Sequence, residues 1–112
     1  MLEKIQVLRE EASKLFTSLL SSSKVKKMRI EDDKVLFELE PMPPSTVKEI
    51  LISLGYTQEL KHVDLFANMV YTSFEFKKAV DGMNVVARFS FSSKMNSEKP
   101  VHVRGLTLAV EP

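Results

Sequence analysis

The chain has no cysteine and no tryptophan, and only three glycines and five prolines in 112 residues. Without cysteine, disulfides, thiolate nucleophiles and thiolate-held metals are excluded. Small secreted domains are commonly stapled by disulfides, so this absence favours an intracellular, cytoplasmic setting. The glycines stand alone at 55, 82 and 105, too scattered for a loop that cradles phosphate. Charge of one sign is also missing. Sixteen basic residues offset fifteen acidic ones to a net +1, which leaves no global footprint for nucleic acid or an acidic membrane. No apolar run approaches the roughly 18 residues needed to span a bilayer. The opening MLEKIQVLREEASKLFTSLL interleaves charges throughout and so lacks a signal peptide's apolar core.

What remains is an ordinary globular composition, 44% hydrophobic and 28% charged. The length suits a single domain over residues 1–112 with one modest core. Residues 2 to about 22 predict an amphipathic helix. Met1, Ile5, Leu8, Ala12, Leu15 and Leu19 recur at spacings of four and three, and Phe16 and Leu20 widen the stripe. Glu3, Lys4, Arg9, Glu10, Glu11 and Lys14 cover the other faces, so Glu10-Glu11 reads as solvated. The heptad lasts under three repeats, which favours packing on the domain's own sheet over a coiled-coil seam.

In VKKMRIEDDKVLFELEP, a turn at Asp32-Asp33 would pair Ile30 with Val35 and Met28 with Phe37, gathering apolar residues on one face. The other face would then pair Lys27 with Glu38. After Pro41 a second helix is expected, with Thr46 and Glu49 as a capping box, Val47, Ile50, Leu51 and Leu54 as its stripe and Gly55 as its stop. Residues 56–68 are ambiguous. Val63 and Leu65 alternate as in a strand, but the alternation resumes at Val70 with opposite parity, so a bulge, turn or break must fall near Phe66–Asn68.

The clearest stretch is FEFKKAVDGMNVVARFSF, residues 74–91. Asp81-Gly82 favours a two-residue type I′ turn. Folding there sets Phe74 beside Phe89, Phe76 beside Ala87 and Glu75 across from Arg88. One face carries Phe74, Phe76, Val85, Phe89 and Phe91, and the other is polar, as in a sheet with one buried face. A final strand over 101–110 changes phase at Gly105, which reads as a bulge. The expected fold is a two-layer α+β domain: an antiparallel sheet of about five strands, two helices on one face, in the order helix-hairpin-helix-hairpin-strand. In element order alone this resembles small cone-shaped folds in which a curved sheet wraps around helices, a likeness that implies no function.

Few residues speak to chemistry. His62-x-Asp64 places only two potential ligands on one strand face, with His102 the one other histidine, where a metal site normally needs three or more together; the serines lie in loop-like segments, and no catalytic residue or cofactor is indicated. An apolar pocket behind the phenylalanines is one alternative, although a domain this small needs most such surface for its core. On the polar sheet face, Lys27, Arg29, Tyr71, Lys77, Arg88 and Arg104 could form a nucleic-acid platform, but Glu38 and Glu75 share that face. The favoured reading is a non-enzymatic binding domain acting through protein–protein contacts, self-association included. A helix of about 20 residues spans roughly 30 Å, whereas strands of five or six residues reach about 17–20 Å. The apolar start of the helix should therefore overhang the sheet, which points to Leu2, Ile5 and Leu8 as a partner contact.

Overall fold

The computed structural model describes residues 2–22 and 25–111, with only the backbone of Leu2 and Ser22. Met1 and the side chain of Leu2, both part of the expected stripe, lie outside the described residues. The elements run α1 (Leu2–Ser22), β1 (Val25–Ile30), β2 (Lys34–Met42), α2 (Pro44–Ser53), β3 (Thr57–Phe66), β4 (Met69–Val80), β5 (Met83–Lys94) and β6 (Val103–Glu111). The strands form one antiparallel sheet in the order β1-β2-β6-β5-β4-β3. The final strand is inserted between the first hairpin and the β3–β4–β5 meander. The two-layer α+β expectation holds, with six strands where about five were expected.

Both hairpin registers are those the alternation requires. Met28 lies opposite Phe37 and Ile30 opposite Val35, while Glu75 lies opposite Arg88 and Phe74 opposite Phe89. Asp81 and Gly82 both have positive φ, as a type I′ turn demands. Gly105 falls where the β2–β6 register shifts, so that Val103 and Leu106 are both buried. Phe37, Leu39, Phe74, Phe76, Val85, Ala87, Phe89, Leu106, Leu108 and Val110 meet α1 and α2 in one core, with Phe91 half-buried at its margin. The Phe74 and Phe89 rings stack at 5.3 Å. The cluster is core.

Four local expectations are corrected. The second helix begins three residues earlier than the capping box requires. Pro43 takes the cap position and Pro44 the first turn, without a side-chain cap, because proline's fixed φ and missing N–H suit a helix start. The ambiguous 57–66 segment is the sixth strand, and its parity break is a two-residue turn at Ala67-Asn68, both with positive φ. Leu20 is exposed, and Val7 is buried while Ile5 is 40% exposed, so the buried stripe of α1 is rotated from the expected one. Strand length is the fourth correction. Twelve-residue β4 and β5 extend roughly 40 Å at about 3.3 Å per residue, longer than α1. The sheet overhangs the helices, not the reverse.

Candidate functional site

The overhang defines the first surface. Phe74 marks where the helical layer ends: Lys48 of α2 holds its Nζ 3.9 Å from that ring's centroid, and Lys61 of β3 approaches to 5.8 Å. Beyond Phe74, on the same face, come Val63 and Leu65 of β3 and the half-buried Val70 of β4 and Phe91 of β5. All ten residues of β3 are exposed. Four are large and apolar: Leu60 at 53%, Val63 at 48%, Leu65 at 66% and Phe66 at 73% exposure. Val63 and Leu65 lie on the helix-side face, and Leu60 and Phe66 on the outer face with His62 and Asp64, which hydrogen-bond each other at 3.0 Å.

β3 is also a sheet edge, and its backbone parity can be read from the turns. A two-residue hairpin closes on a hydrogen-bonded pair, after which hydrogen-bonded and open pairs alternate. The Ala67-Asn68 turn makes Phe66–Met69 such a pair, so Phe66, Asp64 and His62 bond to β4. The Asp81-Gly82 turn, counted back along β4, gives the same parity. Lys61, Val63 and Leu65 therefore direct their N–H and C=O groups to the free edge. The opposite edge differs. β1 has six residues and carries Lys26, Lys27 and Arg29, and short length and cations are what shield an edge from strand addition.

The second surface lies on the outer face. β5 and β6 pair only from Asn84–Glu111 to Arg88–Thr107 and then diverge. A cleft of about 740 Å³ opens between them, lined by Leu36, Glu75, Arg88, Ser90, His102 and Arg104 among others. Arg88 is already engaged, donating to Glu75 at 3.0 Å and Glu111 at 2.7 Å. Lys77 lies 3.6 Å from Glu75 and Arg29 lies 3.3 Å from Glu31. Lys27, Arg29 and Arg104 line an adjoining groove with Glu38. Tyr71 shares the face but sits on β4, four strands from β1, a lateral distance of roughly 19 Å at about 4.8 Å per strand. All six residues expected there do share one face, but they do not converge on one point.

At the start of α1 the residues proposed as a partner contact separate. Ile5 is partly exposed, while Leu8 is 3% exposed and belongs to the core. The sequence reading missed a polar cluster just beyond. Glu11, read as solvated, is 2% exposed and accepts hydrogen bonds from Lys78 Nζ at 2.9 Å, Lys14 Nζ at 3.0 Å and the Tyr56 hydroxyl at 3.1 Å. Burial pushes its carboxyl pKa up, but the bonds from Lys78 and Lys14 outweigh that and hold it below the usual carboxylate range. Burial, and then the Glu11 charge, push the Tyr56 phenol up, so it stays neutral and donates. The only sequence signal was Glu11 standing beside Ala12 and four before Leu15, at the stripe's border. This cluster ties α1 to β4 and to the link between α2 and β3.

Among the described residues, no group of three or more His, Asp or Glu side chains could hold a metal, and no helix is long and apolar enough to cross a membrane. Comparison with known proteins returns no match: no family model, characterised protein or solved structure aligns significantly with this chain.

Proposed function

We propose that this chain is a non-enzymatic protein-binding domain that takes up a partner strand along the free edge of β3. The observation that carries this reading is a ten-residue edge strand, exposed throughout, with four large apolar side chains, longer and more apolar than the six-residue β1. A long, open, apolar edge is a template for strand addition. In that mode main-chain hydrogen bonds supply affinity and alternate side chains supply specificity. The absence of cysteine supports a cytoplasmic setting.

Val63→Pro tests it. The substitution deletes one outward N–H but leaves the β4 ladder intact, because proline is tolerated on edge strands where its nitrogen faces solvent. Binding to any protein partner, self or other, should fall at least about tenfold while thermal unfolding is little changed. Unchanged binding would refute strand addition. A second reading, nucleic-acid binding through the groove of Lys27, Arg29 and Arg104, predicts retention on single-stranded nucleic acid that weakens with salt and is lost in Arg104→Glu.

A further inference from the structure

The strand that fits this edge is written in the edge itself. Resting on the strand-addition reading, we infer that the partner is a second copy of this chain, paired β3 to β3 about a twofold axis at Val63. Such an axis, perpendicular to the sheet, keeps each face on its own side. A residue of β3 must then meet one of the same parity in the other copy, and the outward backbone groups must coincide. Centring on Val63 meets both conditions. Lys61 faces Leu65 of the second copy, Val63 faces Val63, and Leu65 faces Lys61, so every outward N–H and C=O of the three residues finds a counterpart.

The side chains select this register over its neighbours. On the outer face it places Leu60 against Phe66 and His62 against Asp64, each pair occurring twice. On the helix-side face it joins the two valines and lays the Lys61 stem along Leu65 of the other copy. Hydrogen-bonded and apolar cross-strand pairs are the favourable kinds. Centring on His62 instead opposes Leu60 to Asp64 and Lys61 to Val63. Centring on Asp64 opposes that carboxylate to its own copy and His62 to Phe66. The His62 and Asp64 side chains, which would otherwise guard this edge, meet each other across the two strands in one register only. The result is an isologous dimer in which two six-stranded sheets join into one, and the four apolar side chains that the single chain leaves in water gain cross-strand neighbours.

Single cysteines at 60, 62, 63, 64 and 66 test this cleanly, because the chain has none of its own. In an antiparallel hydrogen-bonded pair the Cα atoms lie about 5.5 Å apart, inside the disulfide range of about 4.4–6.8 Å. Val63→Cys should therefore cross-link on mild oxidation at least about tenfold faster than the other four, whose own copies lie farther from the axis. Sedimentation of the wild type should show twice the 12.8 kDa chain mass. Asp64→Lys should weaken the dimer about tenfold or more, and adding His62→Asp should restore it. A maximal cross-link at another position, or failure of the double exchange to rescue, overturns the register. A wild type that stays at 12.8 kDa at all concentrations overturns self-pairing. If such a monomer still binds another protein in a Val63-dependent way, the strand-addition reading survives alone. If it binds through neither route, both fall.

Discussion

Replacing Lys78 by methionine removes a cation and keeps its aliphatic stem, which isolates one question: what does a buried carboxylate cost this domain? Glu11 is 2% exposed, and its Oε1 accepts from Lys78 at 2.9 Å and from Tyr56 at 3.1 Å. Breaking a buried ion pair typically costs about 3–5 kcal/mol, because the remaining charge is left without compensation. Two features reduce that here. Lys78 is itself partly exposed, and Lys14 still reaches the other carboxylate oxygen at 3.0 Å. We expect about 2–3 kcal/mol, against a total stability of about 5–15 kcal/mol for a domain of this kind. With a urea slope of about 1–3 kcal/mol per molar, the unfolding midpoint should drop by about 0.7–3 M. The pH dependence follows from the sign of the shift. The folded-state carboxyl lies below its unfolded value, so its contribution is full above the ordinary carboxylate range and is lost as pH falls through the folded value. Without Lys78 the depression shrinks, and the acid loss of stability should begin at a higher pH. A Lys78→Met midpoint equal to that of the wild type, with an unmoved acid limb, would refute the buried-pair reasoning.

Other outcomes follow from the packing. Phe89→Ala removes a ring 4% exposed and stacked between Phe74 and Phe76, and should cost about 3–5 kcal/mol in denaturant unfolding. Arg88→Gln breaks two outer-face ion pairs to Glu75 and Glu111, yet Arg88 is 47% exposed. It should lose no more than about 1 kcal/mol, and a loss comparable to that of Phe89→Ala would mean the outer face is structurally critical. Gly82→Ala should destabilise the β4–β5 turn by about 1 kcal/mol, since φ is +78° there.

Legibility in the sequence tracked how many constraints met on one residue. Between 70 and 92, alternation, turn chemistry and a charge pair all required one register, and that register is observed. Residues 57–66 were opaque because an edge strand exposed on both faces has no buried face to impose alternation. Leu60, Val63, Leu65 and Phe66 divide between the two sides instead of marking one. The very property that makes β3 a binding candidate hid it. Glu11 was misjudged for a related reason: periodicity places a residue on a helix face but says nothing about Lys78 and Tyr56, which are brought to it by tertiary packing from 67 and 45 positions away. The helix overhang failed on a default strand length, since the strands of the meander have ten to twelve residues.

Amide hydrogen exchange along β3 tests the binding edge most directly, because neighbouring residues serve as internal controls. His62, Asp64 and Phe66 bond to β4 and should be protected whether or not a partner is present. Lys61, Val63 and Leu65 point to the free edge, and their amides should become protected only when a strand is added there. In concentrated protein, or with a bound partner, we expect protection at all six positions, falling on dilution to every second residue. Lys61, Val63 and Leu65 amides that exchange at unprotected rates under every condition would contradict the account.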